Sequence, residues 1–266
     1  MEAKISPTIT LYRGWNEPGR YVWSPFATKV EFRLRTSNTA YLCAAGSPRS
    51  GPKGKIPYLE LATPSEPTEC LADSTLILRS LAERGAIEDI NAHLNAAQKG
   101  QDLAIRALLE DKLYFYHGHE RWIKNYYTMR DHALWSIPYP IRLLVGILAY
   151  RANVRRLYEQ GSGRFSYPEI RAFIREIWIG VNGLLEESRR KASGDECFWV
   201  LGGAEPSEAD ATVYGFVVSV LVCDAGPESR DLLKNEFPVI LDFAKRIHWR
   251  WFPDYEIWPG APSMRG

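Results

Sequence analysis

Three short segments near the start of the chain combine residue types that can do chemistry together: Ser24-Pro25-Phe26-Ala27, Lys55-Ile56-Pro57 and Asp73-Ser74. Serine followed by proline is the signature of a helix start, with serine at the N-cap and proline in the first turn. The same reading holds for Asp73-Ser74 before an apolar run. Helix N-termini present unpaired N–H groups and the positive end of the helix dipole, which suit a thiolate or a carboxylate. An X-Pro bond at a strand start is a candidate cis peptide. That bond would leave the backbone groups of Ile56 free to pair with an extended ligand, as an added strand would. The ligand fitting such an arrangement is a small peptide with a thiol near one helix start and a carboxylate near the other. The plain alternative is that both caps serve only their own helices.

The elements that must hold these segments are legible from periodicity. Residues 8–12, TITLY, read as a short strand, and the loop after it is broken by Gly14, Pro18 and Gly19. From Ser24 the spacing of Phe26, Val30 and Leu34 predicts a helix. TAYLCAA and IPYLEL read as strands on either side of the loop GSPRSGPKGK, and ADSTLILRSLAERG reads as a helix closed by Gly85. The order is β-α-β, loop, β, a strand or turn, then α. Beyond Gly85 apolar residues recur at three or four, predicting helices near 98–132, 139–160, 167–192, 207–224 and 228–248. The expected fold class is α+β: a small α/β unit over 1–86 followed by an all-helical unit over 87–266.

Composition sets the outer bounds. In 266 residues, 45% are hydrophobic and 24% charged, which excludes disordered and fibrous chains. Thirty-three basic residues balance 32 acidic ones without forming a stripe, which argues against nucleic acid as partner. The N-terminus has no secretory or transit pattern, and the apolar runs Ile141 to Tyr150 and Ala211 to Cys223 fall short of the ~20 residues a membrane span needs. Cys43, Cys70, Cys197 and Cys223 form no CxxC pair or zinc set, so four free thiols, a cytoplasmic setting and no metal are expected.

SPFATKVEFRLR, GKIPYLEL and LADSTLIL, followed much later by PSEADATVYGF, together resemble the glutathione S-transferase superfamily. The likeness is most marked to its metaxin and failed-axon-connections branch, with a fungal secondary-metabolism transferase of the pseurotin-biosynthesis type as a candidate subtype, and it implies a thioredoxin-like N-terminal domain followed by an all-helical bundle. The resemblance implies glutathione contacts at Ser24, Phe26, Lys55, Ile56, Pro57, Asp73 and Ser74, with Ser24 as the catalytic hydroxyl that donates to the glutathione sulfur. Lys53 and Lys55 can reach a glutathione carboxylate or remain solvated loop charges. Asp73 stands where Glu is commoner, and its shorter side chain reaches the α-amino group less well. Many relatives have SPFC where this chain has Ala27, and without a thiol at Ser24 or Ala27 disulfide exchange has no nucleophile.

The segment Leu113 to Arg130 is rich in aromatic residues, and the resemblance places a second-substrate pocket along it. Tyr116, Glu120 and Lys124 share one expected face; Phe115, His119, Trp122 and Tyr126 share another. The pocket expected on these grounds comprises Tyr12, Tyr116, His119, Trp122 and Tyr126, suited to a hydrophobic, conjugated small molecule. His117 and His119 point apart at their spacing of two, against a metal pair. Ser207 and Asp210 read as a capping box, and Trp249, Trp251 and Trp258 as packing against the N-terminal unit. The implied activity is addition of glutathione thiolate to a conjugated electrophile, ending in conjugation or trans-to-cis isomerisation, in a homodimer and in secondary-metabolite (polyketide) biosynthesis. The alternative is a non-catalytic, metaxin-like interaction module.

Overall fold

The computed structural model describes residues 7–15, 17–64, 67–194 and 196–261. Four strands, β1 (Thr8–Tyr12), β2 (Leu42–Ala44), β3 (Tyr58–Ala62) and β4 (Glu69–Ala72), form a mixed sheet in the order β2-β1-β3-β4. β2 runs parallel to β1, and the other two pairings are antiparallel. The segment left open as strand or turn is β4. Alternation along β1 and β3 sends Ile9, Leu11, Leu59 and Leu61 into a core with Val30 and Leu34 of α1 (Pro25–Thr36) and Ile77, Leu78 and Leu81 of α2 (Ser74–Glu83).

The remaining elements are helical, as the periodicity predicts, with two corrections. The helix expected over 98–132 is helical throughout but not regular: α3 (Ala96–Leu108), α4 (Tyr114–His119) and α5 (Tyr126–Ala133) are joined by π-helical turns at Leu109–Leu113 and Glu120–Lys124. Each π turn takes in an extra residue and rotates the face that follows. Glu120 and Arg121 are therefore both buried, and the face assignment based on uninterrupted α spacing does not carry past residue 120. The helix expected over 228–248 is two, α9 (Pro227–Glu236) and α10 (Pro238–Trp251). Pro238 has no N–H to continue the ladder, and Phe237 before it takes φ −126°, ψ 65°. Helices α6 (Tyr139–Gln160), α7 (Tyr167–Lys191) and α8 (Glu208–Val222) lie where expected.

The two halves meet where α1 packs on α8. Phe32 of α1 faces the helical core, and Trp251 packs edge-on against it with ring centroids 5.5 Å apart. Trp258 adjoins Tyr21 on the N-terminal side. Close approach of the helices depends on Gly215: a Cβ there would lie 2.3 Å from the Pro25 carbonyl oxygen and 3.2 Å from the Lys29 nitrogen. Lys29 reaches Glu110 at 2.6 Å and Arg33 reaches Glu208 at 2.8 Å, tying α1 to the helical half. The expected capping box starts α8: Asp210 accepts from the Ser207 N–H at 2.8 Å and from Val200 N–H at 2.7 Å.

Two predictions follow from the interface. Gly215→Ala forces α1 and α8 apart, and destabilisation by about 1–3 kcal/mol is expected in urea unfolding, as for other overpacked contacts. Acid provides the second test. Burial lowers His132 and His248 to about 4, whereas in an unfolded chain both protonate near ~6.5. Between those values the unfolded state binds more protons, so stability falls as pH drops from about 6.5 toward 4. Unfolding curves across that range will show the loss, and it will be smaller in His132→Phe.

Candidate functional site

The strand register explains why three segments far apart in sequence share one end of the sheet. Tyr58, the first residue of β3, pairs with Tyr12 at the end of β1 and with Ala72 at the end of β4. Ile56-Pro57 leads into that end, Asp73-Ser74 leads out of it, and the loop after β1 returns to Ser24. The Ile56-Pro57 bond is cis. Ile56 precedes the β3 ladder and is half-buried, while Lys55 is exposed.

Ser24 is the N-cap of α1, in extended conformation with φ −82°, ψ 115°. Its Oγ accepts from the Ala27 N–H at 3.4 Å, a long contact that leaves the hydroxyl hydrogen available to a ligand. The Phe26 ring turns to the helical half, against Tyr114 and Phe216, so only its backbone is placed for a ligand at the helix start. Asp73 caps α2 by accepting from Thr75 N–H at 3.1 Å and Leu76 N–H at 3.3 Å through one oxygen. It does so at φ +79°, an uncommon and costly conformation for a side chain other than glycine. Ser74 is buried behind it.

Of the residues expected to line a second-substrate pocket, Tyr12 lies in the sheet, Tyr116 and His119 face α7, and Tyr126 faces α6. Tyr12 stacks on Tyr58 at 4.3 Å, and its hydroxyl donates to Glu60 at 2.7 Å, a bond that raises its pKa to about 12. Tyr116 is buried against Phe173, and His119 stacks on Tyr167, both partners on α7. Tyr126 meets Tyr150 of α6 edge-on, and Trp122 is half-buried. His117 is buried between Trp178 and Phe216, on a different side from His119.

A different aromatic group borders Ser24. The His132 ring stacks on Trp23 with centroids 3.4 Å apart and planes 10° apart, and Trp15 tilts over it at 4.7 Å. Trp15 donates to the His132 carbonyl at 3.0 Å, and Trp135 donates to the Gly14 carbonyl at 3.4 Å. Gly14, at φ +94°, lies against Ile56 so closely that a Cβ would be 2.5 Å from its Cδ1. The loop after β1 thus joins Ser24, Ile56 and α5 in one wall. Trp15 and Trp23 are visible in the sequence as two tryptophans in a long loop, but their partners are over 100 residues away.

Burial raises all four thiols, Cys43 to about 12, which leaves them protonated at neutral pH. Among the described residues no group of His, Cys, Asp and Glu is arranged to hold a metal. No single helix there is long and apolar enough to cross a membrane.

Residues 25–129 match the family model of the glutathione S-transferase N-terminal domain. Comparison with curated proteins gave no match. Among solved structures, glutathione transferase GSTFuA3 from Phanerochaete chrysosporium is 14% identical, with a TM-score of 0.60 over 95% of this chain and 98% of that one. Maleylacetoacetate isomerase from Anaeromyxobacter dehalogenans 2CP-1 is 18% identical, with a TM-score of 0.51 over 97% and 96%. The same isomerase has been solved with dicarboxyethyl glutathione and citrate in its active site, at 17% identity and a TM-score of 0.50 over 98% and 96%. The architecture of this chain, a thioredoxin-like α/β unit followed by a helical bundle, is the one these glutathione transferases and the isomerase share.

Proposed function

We propose that the protein is a glutathione-dependent transferase or isomerase, with glutathione held by residues 1–86 and a hydrophobic, conjugated electrophile held by residues 87–266. The observation that carries this reading is the convergence of the Ser24 cap, the cis Ile56-Pro57 bond and the Asp73-Ser74 helix start at one sheet end. Ile56 offers its backbone N–H and C=O to the tripeptide as an added strand would. The N-terminus of α2, with Ser74, takes the γ-glutamyl carboxylate. Asp73 spends one carboxylate oxygen on its own helix and offers the other to the α-amino group, and Lys55 stands near the opposite carboxylate.

Ser24 donates its hydroxyl hydrogen to the glutathione sulfur, and the positive end of α1 adds to the stabilisation of the thiolate. The thiolate then forms a C–S bond to an activated double bond as the π electrons move onto the conjugated group. Release after protonation is conjugation; rotation about the carbon–carbon bond that addition has made single, followed by return of the electron pair to re-form the double bond and expel the thiolate, is isomerisation. The bound dicarboxyethyl glutathione in the neighbouring isomerase supports addition as the shared step. The Trp15, Trp23 and Trp135 wall suits a flat, conjugated molecule, such as a polyketide intermediate of secondary metabolism, and four free cysteines suit a reducing cytoplasm.

Ser24→Ala is expected to lower kcat about 10–100-fold toward conjugated acceptors, the worth of a hydrogen bond to a charged group, without loss of fold. Unchanged turnover would remove Ser24 from the mechanism. The protein is also proposed to be a homodimer through α6, where Ile141, Leu144 and Leu148 share a face and are 54%, 67% and 65% exposed. Sedimentation is expected to give a dimer for the wild type and a monomer for Leu144→Glu.

A further inference from the structure

Among the described residues five lysine and arginine side chains are buried, and four of them have a carboxylate partner. Arg13 faces Glu31 at 3.4 Å, Lys29 faces Glu110 at 2.6 Å, Arg33 faces Glu208 at 2.8 Å and Arg130 faces Asp131 at 2.8 Å. Arg121, 8% exposed, is the exception: no carboxylate among the described residues lies within 4.0 Å of its guanidinium. It is held by neutral acceptors instead. Nη1 donates to the Trp23 carbonyl at 3.1 Å, and Nη2 donates to the carbonyl and hydroxyl of Ser219 at 3.2 and 3.0 Å. The Ser219 hydroxyl itself donates to the Trp23 carbonyl at 2.5 Å.

The adjacent carboxylate is committed elsewhere. Glu120, buried beside Arg121 by the same π turn, accepts from the N–H groups of Glu228 and Ser229 at 3.0 and 3.1 Å and from the Ser229 hydroxyl, capping α9. A buried charge with no opposite charge in contact is costly, and the chain retains one here. Its location is informative. The carbonyl it grips belongs to the peptide bond joining Trp23 to Ser24, so the cation lies one peptide unit behind the N-cap of α1. There its potential adds to that of the helix N-terminus.

We propose that Arg121 is a positioning residue that fixes the approach of the chain to Ser24 and supplies a standing positive potential which keeps a thiol beside Ser24 ionised. This deepens the glutathione reading and rests on it for its biological meaning. The other charged and titratable groups facing Arg121 leave this potential in place. His132 and His117 are held neutral by burial, with the Arg121 charge adding to the effect, and burial keeps the Cys223 thiol protonated. Asp224 is exposed and engaged by Arg230 at 2.9 Å; the Glu120 carboxylate borders Gly226 together with the Arg121 guanidinium, and its oxygens are spent on the N-terminus of α9.

The test reads the potential at position 24 without glutathione. The thiol introduced by Ser24→Cys is titrated by its thiolate absorbance, as a difference from the parent protein. Adding Arg121→Gln is expected to raise its pKa by about one unit, a tenfold change in the ionisation constant. Adding Ser219→Ala, which disturbs the same contacts without removing the charge, is expected to lower the thermal midpoint and leave the thiol pKa in place. Should Arg121→Gln not fold, Ser219→Asp sets a carboxylate against the guanidinium and is expected to raise the pKa in the same direction. An unchanged pKa on neutralising Arg121, or an equal rise with Ser219→Ala, would overturn the proposal. Calorimetry with glutathione on the wild type separates this failure from failure of the glutathione reading.

Discussion

Everything in this structure depends on α1 being packed on two sides at once. Val30 and Leu34 close the core beneath the sheet, while Phe32 enters the core of the helical half. A helix so placed has no solvent face on which to put its polar residues, and Thr28, Lys29, Glu31 and Arg33 are all buried. Gly215 permits the approach by removing the one side chain of α8 that would strike the α1 backbone. The position of Ser24 at the start of α1 is therefore set jointly by both halves of the chain.

That constraint orders the electrostatics. Charges buried along α1 are matched from the helical half, Lys29 by Glu110 and Arg33 by Glu208, whereas Glu31 is matched from within the N-terminal unit by Arg13. At the N-terminus of α1 the pattern changes: the nearby cation is held by carbonyl and hydroxyl oxygens alone. Matched pairs along the helix give way at its start to a cation with no carboxylate in contact. The strain at Asp73 occupies the other helix start of the same sheet end. Such departures from the least costly arrangement concentrate where a protein binds or reacts.

Local features of the site were legible in the sequence because their causes are local. The Ser24 cap, the proline after it, the cis bond at Pro57 and the capping role of Asp73 each follow from two or three adjacent residues. The Ser207 and Asp210 box follows for the same reason. The π turns had no comparable signal, since they arise from how the long helix must rotate to bury Glu120 and Arg121 together. The break at Phe237 could have been read from Pro238, but the apolar spacing on either side masked it. The wall beside Ser24 was out of reach, because Trp23 meets His132 and Arg121 only after the two halves dock. The aromatic segment stands out by composition alone, yet Tyr116 and His119 turn toward α7 and Tyr126 toward α6.

The measurement closest to the central claim is the thermal midpoint with and without millimolar reduced glutathione, with a dipeptide lacking the γ-glutamyl group as control. A ligand that binds only the folded state at 100 times its dissociation constant adds about 2.7 kcal/mol. The account predicts a rise with reduced glutathione and none with the dipeptide, because the Asp73-Ser74 helix start needs the γ-glutamyl carboxylate. An equal midpoint under all three conditions would contradict it and leave the sheet end as scaffold.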